Sequence, residues 1–194
     1  MKFIFDFDDV LFNNTKQFKE HMYACLEKAG VPRTVSAEYY KEVRKNQFLI
    51  KNYLAVLLNR VGKEKKAEEI YEEIMSECKN FVNIPLLEVV KKLGKENCYI
   101  VSESEEKFQK DKIKRTNTTS LFSEIHIISK SKKEVIYDIC SKNKNEKVIF
   151  IEDKPKWIDE LDMKKCPNLK AILYDEGGLE KLMSVVSQEW FPGG

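Results

Sequence analysis

Lys2-Phe3-Ile4-Phe5-Asp6-Phe7-Asp8-Asp9 opens the chain with a short apolar run that ends in acid. Phe3-Ile4-Phe5 has the length and aromatic content of a strand buried on both faces, as in the interior of a parallel sheet. Side chains alternate along a strand, so Asp6 and Asp8 leave its carboxyl end on the same side, with Asp9 directed elsewhere. Spacing alone carries little weight: 32 acids in 194 positions give about five such pairs by chance. Position carries more, because negative charge gathered at the end of a buried strand costs stability unless a cation or hydrogen-bond donors compensate it.

Similar apolar runs recur further along: Cys98-Tyr99-Ile100-Val101-Ser102, Ile125-His126-Ile127-Ile128-Ser129, Val148-Ile149-Phe150-Ile151-Glu152-Asp153 and Leu169-Lys170-Ala171-Ile172-Leu173. Helix-length segments separate most of them. Pro85 to Leu93 carries Leu86, Leu87, Val89, Val90 and Leu93 at helical spacing, and Lys132 to Cys140 carries Val135, Ile136 and Ile139 behind a Ser131-x-x-Glu134 capping box. Strands alternating with helices predict an α/β fold: a doubly wound, parallel, Rossmann-like sheet that gathers function at the carboxyl ends of its strands.

Residues 14–82 interrupt this alternation with helical patterns only. Phe18, Met22, Cys25, Leu26 and Ala29 share one helical face; Ala67, Ile70, Tyr71, Ile74 and Cys78 share another, opposite Glu68, Glu69, Glu72 and Glu73. Gly30-Val31-Pro32 and Val61-Gly62 punctuate the run, so three or four helices are expected between the first and second strands. The division expected is a core of residues 1–13 and 83–194 and an all-helical cap of residues 14–82, a lid over the carboxyl edge of the sheet.

Lys and Arg total 34 against 32 acids, so the formal charge of +2 gives no general pull towards nucleic acid or membrane. Five widely spaced cysteines without a C-x-x-C argue against a disulfide framework or a thiolate zinc site, and read as core residues of a reduced, cytoplasmic protein. The N-terminus turns acidic too soon for a signal peptide, and no later segment has the length of a membrane span. The Asn-x-Thr triplets at Asn13 and Asn117 are then chance matches.

Four strand ends bring chemistry to one edge. Asp6 and Asp8 end the first strand and Glu152 and Asp153 end the fourth, making the hard-oxygen environment that Mg²⁺ prefers. Ser102 adds a hydroxyl beside a turn whose amides can bind a phosphoryl oxygen. Lys130-Ser131-Lys132-Lys133 adds an ammonium, although most of those lysines read as solvated surface.

In this order, FIFDFDDVLF, CYIVSES, the Lys130 to Lys133 tract and VIFIEDKP resemble the four motifs of the haloacid dehalogenase superfamily, and the helical insert resembles its cap of the type placed after the first motif. NIPLLEVVKKLG and FQKDKIKRT are similar to the segments flanking the second motif, so the resemblance runs from Met1 to about Tyr174. It implies a Mg²⁺-dependent phosphomonoester hydrolase acting on a small phosphorylated metabolite. Asp6 would be the nucleophile that forms an aspartyl-phosphate, and Asp8 the acid that protonates the leaving oxygen and then deprotonates water. Ser102 would hold a phosphoryl oxygen, and Lys130 or Lys132 would neutralise charge, both alignments being open. Asp153, with Glu152, would bind Mg²⁺ together with Asp6 and the backbone carbonyl of Asp8.

The resemblance also separates branches, since the metal-independent dehalogenases lack an acid at the position of Asp8. This chain departs from the common pattern at Glu152, where many relatives have Asp or Gly, at Asp9, often Gly, and at Glu103, usually neutral. Asp159 lacks the usual spacing from Asp153, which favours the adjacent-acid form of the fourth motif. His21 and His126 read as structural or solvated. Tyr39, Tyr40, Tyr53, Arg44 and Arg60 have core and surface duties as good as any contact with substrate, and Trp190 and Phe191 read as packing residues. Three other readings use the same fold: a phosphomutase, a degenerate phospho-ligand binder, and a nucleic-acid-end phosphatase drawing on Lys107 to Arg115 and Lys130 to Lys133.

Overall fold

The computed structural model describes residues 1–45 and 48–189; Trp190 and Phe191 lie outside the described residues. The chain divides into two compact units, one of residues 1–12, 83–103 and 120–194, the other of residues 13–82 and 104–119.

The first unit holds one parallel five-stranded sheet in the order β3-β2-β1-β4-β5. Its strands are β1 (Lys2–Phe5), β2 (Cys98–Glu103), β3 (Glu124–Ile128), β4 (Val148–Glu152) and β5 (Leu169–Leu173). These are the five apolar runs of the sequence. β1 pairs with β2 through Phe5 and Ile100 and with β4 through Phe5 and Ile151, so its side chains are buried on both faces. Alternation sends Ile4, Tyr99, Val101, Val148 and Phe150 into one cluster with Ile136, Ile139, Trp157 and Leu161. The opposite face packs against the helix Ile84–Leu93, from which Val90 O accepts the Cys98 thiol at 3.9 Å.

Helix Ile84–Leu93 starts where the sequence places it, with Pro85 in the first turn and Asn83 as its cap. Helix Lys133–Lys142 starts differently from expectation. Ser131 makes no capping box with Glu134: its hydroxyl donates to Glu160 Oε2 at 2.8 Å and accepts from Lys133 N at 3.4 Å, and Lys132 takes the cap position in helical backbone geometry. Ser131 is drawn instead to the acid just past the short helix Pro155–Asp159.

Among the described residues the regular elements of the second unit are helices. We number its helices α1 (Lys19–Lys28), α2 (Arg33–Val43), α3 (Ile50–Arg60), α4 (Ala67–Ser76) and α5 (Glu106–Arg115). The apolar faces read from sequence are the buried ones: Met22, Cys25 and Leu26 on α1, and Ile70, Tyr71 and Ile74 on α4. From sequence, residues 104–119 group with the sheet; in the structure they group with the helices. The cause is side-chain pairing. Tyr71 donates to Asp111 Oδ2 at 2.7 Å, and Arg115 bridges Asp111 at 2.9 Å and Glu72 at 2.8 Å. All five cysteines are buried and none is in a disulfide. Among the described residues no helix is long and apolar enough to cross a membrane.

Candidate functional site

Asp6 is the first residue past β1, and its amide extends the ladder to Ile151 O at 2.9 Å. Between β1 and β4 the strand order reverses, since the chain steps outward through β2 and β3 before returning to the other side of β1. Such a reversal leaves a crevice at the carboxyl ends of the two strands. Asp6 and Glu152 both stand at this point, on the alternation of Ile4 and Phe150.

Asp6, Glu152 and Asp153 each bring a carboxylate oxygen to within 4.8 Å of the others. Lys132 lies 2.9 Å from Asp6 Oδ1 and 2.5 Å from Glu152 Oε2, with side-chain exposures of 1%, 3% and 0% for the three residues. Its ammonium also faces the rings of Trp157 at 5.7 Å and Phe150 at 6.0 Å. The backbone supplies two more donors, Phe7 N–H to Asp6 Oδ1 at 2.7 Å and Lys154 N–H to Glu152 Oε1 at 3.0 Å. Asp153 Oδ1, by contrast, is buried with no hydrogen-bond partner.

Three carboxylates around one ammonium leave excess negative charge in a water-poor place. Burial, then the charge of Asp6, pushes the Glu152 carboxyl up to about 8 against the pull of Lys132. Burial also raises Asp153, with Asp6 and Asp9 adding to it. Burial works against the Lys154 ammonium, yet Asp153, Asp6, Asp8 and Glu152 hold its pKa above the ordinary value. An orphaned buried oxygen, an all-oxygen donor set and surplus negative charge fit a small hard cation such as Mg²⁺.

Of the lysine tract, Lys132 joins this cluster, whereas Lys130 is exposed. The sequence leaves the two open because it does not show which one the turn before the helix points inward. Asp8 is half-buried on a tight loop in which Leu11 and Phe12 N–H both bond Phe7 O, at 3.0 and 2.9 Å. Asp9 sits in that loop at φ +60°, the left-handed region that glycine fills freely and Asp tolerates. Ser102 is buried near the end of β2, two residues beyond the Ile100 partner of Phe5 and so at the same sheet edge.

Two residues of this site escape sequence reasoning. Asn83 donates to Val10 O at 3.0 Å and to Tyr174 Oη at 2.8 Å, receives Leu86 N at 3.3 Å, and gives its own amide to Leu11 O at 2.8 Å. It thereby braces the loop that carries Asp8. Its only signal in sequence is an Asn ahead of Ile84-Pro85, a helix start. Trp157 walls the Lys132 ammonium from beneath, and nothing in an isolated Trp two residues past a proline announces that.

The family model described as haloacid dehalogenase-like hydrolase matches residues 3–162, and this span contains every group of the cluster. The chain belongs to this family. A comparison with curated proteins finds no match. Among solved structures, the fold of this haloacid dehalogenase-like hydrolase is similar to a haloacid dehalogenase-like hydrolase from Burkholderia xenovorans (TM-score 0.67, 16% identity, covering 92% of this chain and 89% of that one). It is also similar to a protein described as a β-phosphoglucomutase from Thermotoga maritima (0.60, 17%, 95% and 100%). A third is the hydrolase YfnB of Bacillus subtilis, solved bound to magnesium (0.58, 12%, 95% and 97%).

The remaining candidates have structural partners in this family member. His21 lies against Cys25 Sγ at 3.6 Å and the Phe81 ring at 5.4 Å, and His126 bonds Glu124 at 2.8 Å. Tyr53 is buried and donates to Ser36 O at 2.8 Å, while Arg60 stacks over Tyr39 at 4.8 Å and Arg44 over Tyr40 at 5.9 Å.

Proposed function

We propose that the chain is a Mg²⁺-dependent phosphomonoester hydrolase whose nucleophile is Asp6. The observation that carries the reading is the Lys132–Asp6 pair at 2.9 Å beside an Asp153 oxygen buried without a partner. Asp6 Oδ1 is already held by Lys132 and by Phe7 N–H, which leaves Oδ2 to attack phosphorus in line. The phosphorus–oxygen bond to the leaving group then breaks, Asp8 gives that oxygen its proton, and the phosphoryl group rests on Asp6. In the second half Asp8 takes a proton from water, which attacks phosphorus and returns Asp6 as a carboxylate. Lys132 offsets charge on Asp6 and the transferring group, and Ser102 donates to a phosphoryl oxygen. Asp6, Asp153 and the backbone carbonyl of Asp8 would hold Mg²⁺, with Glu152 beside them. Bound there, the ion would supply the charge neutralisation that phosphoryl transfer needs.

The substrate class we propose is a small phosphorylated metabolite met in the cytoplasm, with the helical unit as its cap. A phosphomutase would draw on the same residues, and the Thermotoga maritima fold neighbour is described in those terms. Release of inorganic phosphate from a panel of small phosphate esters, with and without Mg²⁺, tests both readings. Hydrolysis predicts Mg²⁺-dependent release that Asp6→Asn lowers by about a thousandfold or more. Undiminished release from that variant sinks the nucleophile assignment, and an isomeric phosphate without free phosphate sinks hydrolysis in favour of the mutase.

A further inference from the structure

We propose that the helical unit carries a binding site of its own for a small organic ammonium: an amine on a flat apolar body, held between the face of Tyr71 and the carboxylate of Glu68. The inference stands apart from the phosphoryl chemistry, since no residue of the acid cluster takes part in it. It starts from a cavity of about 520 Å³, within the ~300–1,000 Å³ span of small-ligand sites. Leu49, Ile50 and Lys51 at the start of α3, Glu68 and Tyr71 of α4, and Phe108 of α5 form much of its wall. Ile50, Tyr71 and Phe108 are buried, whereas Leu49 keeps 39% of its surface exposed, an apolar side chain that the protein itself leaves uncovered.

Charge decides the class of ligand. Glu68, Glu72, Glu105 and Asp111 line the cavity against Lys51 and Lys107, so an anion is repelled and a cation is drawn in. Three of these acids are already engaged inside the protein. Asp111 takes the Tyr71 hydroxyl at 2.7 Å and Arg115 at 2.9 Å, Glu72 takes Arg115 at 2.8 Å, and Glu105 accepts the Lys107 and Phe108 amides at 3.0 and 2.7 Å. Glu68 differs. Both its oxygens lie 3.0 Å from the Lys51 ammonium, which stands 4.6 Å from the centre of the Tyr71 ring. The chain's own lysine thus marks what this corner holds, an ammonium over an aromatic face with a carboxylate beside it. Lys51 and Glu68 are 60% and 68% exposed, so their pair contributes little to stability and can be exchanged. The ring, by contrast, is buried and anchored through its hydroxyl, which puts the receiving face in place before a ligand arrives. An amine that displaces Lys51 gains both ring and carboxylate, and its apolar body lies along Leu49, Ile50 and Phe108.

Calorimetric titration of the full chain with tryptamine, an indole bearing a primary ammonium at neutral pH, tests this beside tryptophol, the same skeleton with a hydroxyl in place of the amine. Tryptamine should bind at least about tenfold more tightly than tryptophol. Equal affinities, or no saturable binding of tryptamine up to millimolar concentrations, overturn the proposal. Glu68→Gln should weaken tryptamine binding about tenfold, whereas Glu69→Gln, which removes the same charge from the next residue of α4 and outside the cavity wall, should leave it within about twofold. Equal losses in the two variants would assign the effect to the general field and overturn the site. Lys51→Ala clears the corner and should tighten tryptamine binding about threefold or more; unchanged or weaker binding overturns the exchange. All three side chains are exposed, so the variants should melt as wild type does. Because the readout is binding alone, a chain that takes tryptamine yet hydrolyses no ester would refute the hydrolase reading and leave this site standing.

Discussion

Asn83 joins the end of β5, the loop bearing Asp8 and the start of a helix through one side chain, with Tyr174, Val10 and Leu86 as its partners. Asn83→Ala removes a helix cap and two further hydrogen bonds, so it should cost about 2 kcal/mol of stability in chemical denaturation. Because the bond to Val10 O also fixes the Asp8 loop, the same variant should lower kcat on a phosphate ester more than it raises KM. An unchanged kcat would show that the brace serves folding only. Sequence conveys residues of this kind poorly. An apolar run announces a strand by its composition, whereas the partners of Asn83 lie 73 and 91 positions away and leave no local pattern. Lys132 poses the same difficulty, since the three lysines of the 130s tract look alike until the turn geometry buries one of them against Glu152.

The contact between α4 and α5 turns on Asp111. Burial alone would raise its pKa, but the hydrogen bonds from Arg115 and Tyr71 outweigh that and hold it below the ordinary carboxylate value. A carboxyl depressed by folding contributes stability that is present above its unfolded pKa and lost as pH falls through the folded one. The contribution of this network should therefore be intact at neutral pH and fade between about pH 5 and pH 2. Thermal melts across that range check it: Asp111→Asn should be less stable than wild type at pH 7 and should converge with it in acid. A constant gap at every pH would assign the loss to packing. This network also explains why residues 104–119 were not legible as part of the helical unit. Glu106 to Arg115 has the chain position of a crossover helix, and only the pairing of Asp111 and Arg115 with Tyr71 and Glu72 shows where it groups. Ser131 teaches the related lesson that a capping-box pattern is a competition, won here by Glu160.

The sheet was readable because its inner strands β1, β2 and β4, buried on both faces, write themselves as apolar runs, the part-exposed edge strands β3 and β5 keep enough aliphatic residues to follow the pattern, and the acids that end β1 and β4 meet where the strand order reverses. The excess charge gathered there has a consequence for the folded chain. A cation that binds the native cluster and not the unfolded chain stabilises the fold, by about 2.7 kcal/mol at a hundred times its Kd. Mg²⁺ should raise the melting temperature of wild type by several degrees and leave that of Asp153→Asn nearly unmoved, as read by differential scanning calorimetry. Equal shifts in both proteins would mean that the ion binds elsewhere. The central claim concerns Asp6 itself, and borohydride reduction of a rapidly quenched reaction tests it most directly, because an aspartyl-phosphate is reduced where a free carboxylate is not. Peptide mass mapping should find Asp6 converted to homoserine in the presence of Mg²⁺ and a phosphate ester, and unmodified when the metal is withheld. Reduction at any other carboxylate, or rapid phosphate release with Asp6 never modified, would contradict the account.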